Sequence, residues 1–362
     1  MRIAMTHPFC WPEVRRGAER YIPSLAAALV RRGHEVTFFS SARHPGGRRE
    51  RGVRVVRFGR LFEDERRHEL HFGARMFARL ATAEFDVVHS FGREDAVASI
   101  LAKRARRYDR LTVFTDPGIP DRDWWRTQTR VRSRAMAKVV ADIDVYSCFS
   151  RYALEKLASS YGRTDGSVLP GGVELDAFVP AEARQLRPTI LFSGAFTEPR
   201  KGVAELLRAL PIVAAAEPEV LLWLSGPGDA DALLAAAPEE ARRRVRVLGL
   251  GDVDRQHELY GRAWVTCLPS TDEAFGLALL ESLACGTPVV ATDQAAPREL
   301  VQEGHTGELC PPHDPEALAA ACLRALALAR RPGIVDRCRE SAAPYDFDAG
   351  VAPICERLYE RP

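Results

Sequence analysis

The chain has 362 residues, of which 46% are hydrophobic and 28% are charged, with 26 glycines and 24 prolines. This length predicts two domains with ordinary globular cores, and the composition excludes a disordered or collagen-like chain. No apolar run approaches the ~18–20 residues of a bilayer-spanning helix, and residues 1–8 lack the apolar region of a signal peptide. We therefore expect a cytoplasmic protein.

Charge is divided unevenly along the chain. Residues 1–180 contain 32 Lys or Arg against 22 Asp or Glu, a net of +10, whereas the remainder has 19 against 27, a net of −8. The basic residues concentrate at 43–79 and 103–107. The asymmetry indicates either an anionic partner for the first half or an Arg-rich solvated surface, and the sequence leaves both open. Nucleic acid is disfavoured because no finger, helix-turn-helix or aromatic-basic pattern accompanies the charge.

The eight cysteines are scattered, without a C-x-x-C pair. In a chain of this length without a signal peptide, they are typical of reduced, small hydrophobic side chains. We therefore expect no disulfide framework and no metal site.

Short β-branched runs alternate with helix-period segments along the whole chain. Such runs predict buried strands covered by helices, and hence parallel sheets of an α/β protein. Strands are predicted at 2–6, 35–40, 53–58, 85–90, 111–115 and 145–149, and again at 189–193, 220–224, 245–248, 265–268 and 289–291. Two open sheets in tandem offer the carboxyl ends of their strands to a ligand held between them, which predicts an enzyme with a cleft.

Glycine and proline at 170–172 and 178–180 interrupt the pattern, which places a linker near 178–187. The expected domains are therefore 1–180 and 185–345, followed by a terminal segment, 346–362. Val351, Ile354 and Leu358 give this segment an amphipathic pattern.

Two segments between a predicted strand and helix carry residues suited to phosphate. Gly17 opens the first helix, where unpaired N–H groups attract anions and a missing Cβ permits close approach. Arg200 and Lys201 follow the first strand of the second half, and two adjacent cations suit a diphosphate. Taken singly, each segment is also typical of an ordinary structural loop.

Two carboxylates frame an apolar helix in the second half. Glu273 lies just before the helix and Glu281 lies within it, so that a little over two turns separate them and both face roughly one side. A buried carboxylate needs hydrogen-bond donors, and paired sugar or ribose hydroxyls supply them. A salt-bridged helix glutamate is the alternative that spacing alone leaves open.

These motifs together resemble glycosyltransferase family 4. The resemblance rests on the E-x7-E pattern of Glu273 and Glu281 with Phe275-Gly276, on residues 284–290 and on Gly304-x-x-Gly307. It extends to residues 86–89, Ser150, residues 170–173 and 200–202, and covers essentially the whole chain. Residues 198–202 are especially similar to phosphatidylinositol mannosyltransferases. The family implies the GT-B fold, with two Rossmann-like doubly wound domains facing across a cleft, and a last helix that packs back on the first domain.

The resemblance also implies roles for individual residues. Gly17 would place its N–H at the donor diphosphate, which Lys201, supported by Arg200, would neutralise. Glu273 would hold a hydroxyl of the donor sugar, and Glu281 would hold the ribose. The backbone of Phe275, Gly276 and Leu277 would line the sugar and phosphate. The nucleotide base would lie near residues 248–251, including Leu250, and Gly194 aligns with a family glycine of the donor site.

The sequence departs from the family pattern at three places. Ala195 stands where an arginine usually follows Gly194, and the usual glycine pair is here Arg16-Gly17. Thr115 stands where many relatives carry an active-site histidine. We expect Arg16 to supply replacement charge and Asp116 to orient the acceptor hydroxyl.

The leading interpretation is a retaining, hexosyl- or related glycosyltransferase of the Leloir type. It would move a sugar from a nucleotide-diphosphate sugar, with UDP or GDP favoured, to an acceptor hydroxyl, without a cofactor or metal. A degenerate relative that binds nucleotide or nucleotide-sugar without efficient transfer is the alternative, and a nucleotide-sugar epimerase is a third. A lipid, a polyol or a natural product remains open as acceptor. The basic patches and Trp124-Trp125 would suit an anionic membrane surface, with the protein peripheral at the inner membrane face, or a core role for the tryptophans.

Overall fold

The computed structural model describes residues 1–106, 110–250 and 255–360. The chain forms two compact units, one of residues 1–172 together with the segment from Phe347 onward, and one of residues 173–346. The first boundary precedes the expected Pro180 because Val173 forms a parallel bridge with Asp346 of the second unit. Part of the basic segment at 103–107 and Gly251 lie outside the described residues.

Fourteen strands are found in the described chain, eight in the first unit and six in the second. The strands are β1 (Arg2–Thr6), β2 (Glu35–Ala42), β3 (Gly46–Glu50), β4 (Val53–Gly59), β5 (Val87–Ser90), β6 (Leu111–Asp116), β7 (Val145–Cys148), β8 (Ser167–Val168), β9 (Thr189–Ser193), β10 (Leu221–Ser225), β11 (Val245–Gly249), β12 (Val265–Leu268), β13 (Val289–Thr292) and β14 (Gly307–Cys310).

Helices follow most of the strands. They are α1 (Gly17–Arg31), α2 (Glu65–Thr82), α3 (Arg93–Arg106), α4 (Arg122–Thr127), α5 (Arg130–Asp142), α6 (Arg151–Tyr161), α7 (Val203–Ala216), α8 (Asp231–Ala235), α9 (Glu239–Arg242), α10 (Gln256–Arg262), α11 (Leu277–Ala284), α12 (Pro297–Leu300), α13 (Pro315–Ala329), α14 (Ile334–Ala342) and α15 (Ala352–Tyr359). Single 3₁₀ turns occupy Pro199–Lys201 and Ala343–Tyr345, and a π-helical turn occupies Phe347–Val351.

The sheet of the first unit is mixed, in the order β3-β4-β2-β1-β5-β6-β7-β8. Only β3 departs from the expected parallel arrangement among the described strands, because it pairs antiparallel with β4. Arg51 and Gly52 join the two strands with φ values of 51° and 83°, the left-handed conformation that tight hairpin turns require. The Gly- and Arg-rich segment of β3 lacks the β-branched signal of a strand, so the sequence did not predict it.

The sheet of the second unit is parallel throughout, in the order β11-β10-β9-β12-β13-β14. The order in which successive strands are added to the sheet changes sides between β9 and β12 here, and between β1 and β5 in the first unit. In open α/β sheets, ligands bind beyond the carboxyl ends of the strands at such a switch point. Each unit therefore has a candidate ligand position set by its own topology.

The terminal segment belongs to the first unit and is held to it by polar contacts. Arg31 at the end of α1 donates to Asp348 at 2.7 and 2.8 Å. The Tyr359 hydroxyl lies 2.8 Å from Nδ1 of His89, which is fully buried on β5. Of the expected apolar positions, Val351 and Leu358 are buried and Ile354 is half-buried. The buried residues of α15 are Ala352, Cys355, Leu358 and Tyr359.

Two features are absent from the described residues. No helix in the described ranges is long and apolar enough to cross a membrane. Within the same ranges, no group of three or more His, Cys, Asp or Glu side chains is arranged to hold a metal ion.

Candidate donor and acceptor sites

The best-defined polar cluster of the second unit lies at the carboxyl edge of its sheet. Lys201 follows β9 and Glu273 follows β12, so the two residues flank the switch point. Lys201 Nζ lies 2.6 Å from Glu273 Oε2, and the two side chains are only 13% and 16% exposed. An ammonium and a carboxylate thus meet where the topology places a ligand.

Gly202 permits this approach. Its φ of 69° is left-handed, and a Cβ at this position would lie 2.2 Å from the carbonyl oxygen of Pro269, in the loop after β12. The Thr271 N–H donates to the Arg200 carbonyl at 2.8 Å and joins the same two loops. Any side chain at residue 202 would separate the loops that carry Lys201 and Glu273.

Arg200 lies at the rim of the cluster. Its side chain is 48% exposed, and its guanidinium lies 3.0 Å from Glu198 and 3.7 Å from Glu273. Arg200, Lys201 and Glu273, the three charged residues expected at the donor diphosphate and sugar, therefore lie together. Arg200 is more exposed than Lys201 and holds Glu273 less closely.

Helix α11 begins directly after this cluster. Gly276 is its N-cap, with a φ of 95°, and Leu277 is its first residue. Phe275 is buried and packs edge-on against Tyr345, with ring centroids 5.7 Å apart. The left-handed glycine turns the chain from the Glu273 loop into the helix and leaves the first N–H groups of α11 at the carboxyl edge.

Glu281 lies in the middle of α11 and is buried, as the apolar surroundings in the sequence predict. Its Oε2 accepts a hydrogen bond from the Tyr260 hydroxyl at 2.8 Å. The Tyr260 and Ser193 hydroxyls lie 3.0 Å apart, and the Gln256 side-chain amide donates to Ser193 at 3.2 Å. The sequence alone did not point to Ser193, Gln256 and Tyr260, since they belong to no motif and Ser193 is far from the other two in the chain.

Gly194 follows β9 and Leu250 follows β11, the two strands that flank β10 in the sheet. A Cβ at Gly226 would lie 1.9 Å from the Gly194 carbonyl oxygen, so the turns after β9 and β10 are in direct backbone contact. The Gly226 N–H donates to the Gly249 carbonyl at 2.8 Å, just before Leu250, which is 48% exposed. These turns present mostly backbone at the carboxyl edge, and this suits contact with a base through the main chain.

In the first unit, α1 begins at Gly17 as expected, with Arg16 as the N-cap residue. The Arg16 side chain makes no capping hydrogen bond to this N-terminus. The Arg16 guanidinium pairs with Glu65, and both side chains are about half exposed. The charge of Arg16 is thus held at the surface by a carboxylate.

Asp116 ends β6 and is buried in the same unit. It accepts hydrogen bonds from the Tyr146 hydroxyl and the Gly118 N–H, both at 2.9 Å. Burial raises the pKa of the Asp116 carboxyl above its ordinary value, against the lowering effect of these two donors. Arg16 and Asp116 therefore have separate partners.

Thr115, where the family resemblance implies a histidine, faces His89 of the neighbouring strand β5. Its hydroxyl lies 2.6 Å from Nε2 of His89 and 2.7 Å from the Ser147 hydroxyl. Burial lowers the pKa of His89 to about 3, so this imidazole is neutral at physiological pH. His89 and Thr115 form a buried structural chain that ends on Tyr359.

Comparison with known proteins identifies the two halves separately. A model of Glycosyltransferase Family 4 matches residues 15–177, and a model of group 1 glycosyl transferases matches residues 187–327. The phosphatidyl-myo-inositol mannosyltransferase of Mycobacterium tuberculosis is 32% identical over 89% of this chain and 85% of its own length.

Solved structures share the fold at lower identity. A sucrose-phosphate synthase from Thermosynechococcus elongatus superposes with a TM-score of 0.85 at 22% identity, over 99% of this chain and 98% of its own. HepE of Anabaena, solved in complex with UDP-glucose, gives a TM-score of 0.76 at 18% identity, with both chains fully covered. The expected GT-B fold, built from two Rossmann-like units, is thus confirmed.

Proposed function

We propose that this chain transfers a sugar with retention from a nucleoside-diphosphate sugar to an acceptor hydroxyl. The premise is that the chain belongs to glycosyltransferase family 4 and is a glycosyltransferase. The Lys201–Glu273 pair at the switch point of the second unit is the observation that carries this proposal. It supplies one cation for a diphosphate and one carboxylate for a sugar hydroxyl, side by side.

Lys201 is the group that stabilises the departing diphosphate. Negative charge grows on the diphosphate as the bond to the sugar breaks, and a positioned ammonium in a sparsely hydrated site stabilises that charge strongly. Only 13% of the Lys201 side chain is exposed, so its charge is little screened by water. Arg200, on the exposed rim, adds a weaker contribution.

Glu273 and Glu281 select the two ends of the donor. Glu273 would accept a hydrogen bond from a sugar hydroxyl when the diphosphate draws Lys201 away from it. Glu281, buried on α11, would accept from the ribose hydroxyls. The backbone of Gly194, residues 275–277 and Leu250 lines the remainder of this path at the carboxyl edge.

Retention requires attack on the face that the nucleotide leaves. The acceptor oxygen forms a bond to the anomeric carbon, the bond from that carbon to the diphosphate breaks, and the acceptor proton passes to an oxygen of the departing phosphate. This scheme needs no nucleophile from the enzyme. UDP or GDP is the nucleotide that we propose, and the UDP-glucose complex of HepE supports UDP as the first to test.

We propose that the first unit binds the acceptor. The relative named above acts on phosphatidyl-myo-inositol, so we propose a lipid or polyol acceptor with several hydroxyls. Asp116, buried at the end of β6 in the sheet of that unit, would orient the attacking hydroxyl.

The test has two stages. A thermal-shift screen of the purified protein with UDP, GDP, ADP and dTDP identifies the nucleotide. The matching sugar nucleotides are then incubated with phosphatidylinositol or free inositol, and the product is analysed by mass spectrometry and by NMR of the anomeric configuration. An inverted product would refute retention, and nucleotide binding without transfer or donor hydrolysis would favour the non-catalytic alternative.

A further inference from the structure

Tyr260 holds the carboxylate of Glu281 from the protein side. The phenol is 1% exposed and donates to Glu281 Oε2 at 2.8 Å, although it comes from α10 and the carboxylate from α11. The Tyr260 carbonyl in turn accepts from the Thr287 hydroxyl at 2.8 Å, which fixes the backbone of α10 beside the end of α11. Both partners are therefore rigidly placed.

The same phenol is tied to the central strand of the sheet. Ser193, the last residue of β9, lies 3.0 Å from the Tyr260 oxygen, and Gln256 donates to Ser193 at 3.2 Å. A hydroxyl has one proton, so if Tyr260 donates to Glu281, Ser193 donates to Tyr260. The chain of donors from Gln256 through Ser193 and Tyr260 thus ends on the carboxylate.

This series of hydrogen bonds affects ligand binding. A carboxylate on a helix can rotate about its side-chain torsions, and holding one oxygen removes that freedom before a ligand arrives. A hydrogen bond to a charged acceptor is also stronger and more directional than one to a neutral group. Gly194, the next residue after Ser193, begins the loop that carries Lys201, so one strand end supports both the carboxylate and the ammonium.

We infer that Tyr260, supported by Ser193, is a positioning residue that orients Glu281 toward the ribose hydroxyls of the donor nucleotide. This inference rests on the proposed function, because it takes a ribonucleotide as the ligand. Tyr260 itself does not contact the ligand. Its effect is exerted through Glu281 alone, so it is confined to nucleotides that carry ribose hydroxyls.

The experiment compares Tyr260→Phe with wild type in calorimetric titrations with UDP and GDP and with their 2′,3′-dideoxy forms. We expect the variant to bind the ribonucleotide about 10-fold more weakly, since a hydrogen bond to a charged group is lost, and to bind the dideoxy form as wild type does. Ser193→Ala is the second variant and should show the same selective loss, smaller in size.

Ser282→Ala is the matched control. Ser282 lies next to Glu281 on α11, is fully buried, and donates to Thr266 at 2.8 Å. Its loss should lower stability without changing the ratio of the two affinities.

Equal weakening of ribo- and dideoxynucleotide by Tyr260→Phe and Ser193→Ala would show a merely structural role and overturn the inference, as would no weakening at all. A wild-type protein that binds none of the nucleotides would refute the proposed function itself. The two failures are therefore distinguishable.

Discussion

Lys201 and Glu273 are joined by a 2.6 Å ion pair across 72 positions of the chain. The pair forms because β9 and β12 are neighbours in a parallel sheet, so the loops that follow them emerge at one edge. Both side chains are largely buried, and a buried pair of this kind gains less from its mutual attraction than it loses in hydration unless other groups complete it. This is the arrangement expected of a site that exchanges its internal partner for a ligand.

Lys201→Ala should fold normally and lose transfer by about 10²- to 10³-fold, because a charge-stabilising group of the transition state is removed. Steady-state kinetics with the donor found in the nucleotide screen measures the loss. Lys138→Ala is the control, since Lys138 forms a 2.7 Å ion pair with Asp142 on α5, outside the donor site. Activity within twofold of wild type in Lys201→Ala would remove Lys201 from the mechanism.

Glu273→Gln should separate sugar recognition from diphosphate binding. The variant keeps the shape of the side chain but loses its charge, which frees Lys201 for the diphosphate. We expect the free nucleoside diphosphate to bind at least as tightly as to wild type, whereas the sugar nucleotide loses about 10-fold in affinity with its charged hydrogen-bond acceptor. Calorimetry with both ligands makes the comparison. Parallel changes for the two ligands would contradict a contact between Glu273 and the sugar.

Asp116→Asn should impair the use of the acceptor and spare the donor. The amide retains the size of the carboxylate but orients a hydroxyl less strongly, so the acceptor KM should rise or kcat fall by about 10-fold. Donor affinity should stay constant. Tyr146→Phe deletes the phenol that donates to Asp116 and should cost mainly stability, about 1 kcal/mol. An unchanged acceptor dependence in Asp116→Asn would exclude Asp116 from the reaction.

Asp95 should make the first unit less stable as pH rises. Burial raises the pKa of its carboxyl from 3.8 to about 7, so between these values the unfolded chain has released a proton that the folded chain retains. The contribution of Asp95 to the free energy of unfolding therefore falls through this window, by an amount on the order of 4 kcal/mol at 1.36 kcal/mol per pKa unit.

Asp95→Asn tests this directly. Urea unfolding of both proteins at pH 4, 6 and 8 should show wild type losing stability relative to the variant as pH rises. His89, whose pKa is lowered, titrates in both proteins and cancels in the difference. A difference that does not change with pH would show that Asp95 stays ionised throughout.

The strands that form the centre of each sheet were predictable because their signal is local. Burial on both faces selects β-branched runs, and the runs at β1 and β9, for example, coincide with the observed strands. The antiparallel β3 was missed, since its Gly- and Arg-rich segment is held by the hairpin turn at Arg51 and Gly52 and by pairing with β4. A strand that forms because it pairs with a neighbouring strand need not show alternating hydrophobic residues in its own sequence.

The residues of the candidate site were likewise predictable where their signal is local, and their contacts were not. Glu273 and Glu281 lie in one continuous segment, so their spacing and their apolar flanks marked them in the sequence alone, as did the adjacent cations Arg200 and Lys201. The ion pair between Lys201 and Glu273, and the support of Glu281 by Tyr260, depend on which strands are neighbours. Sheet order is decided by the packing of the whole unit, so only the tertiary structure could determine these contacts.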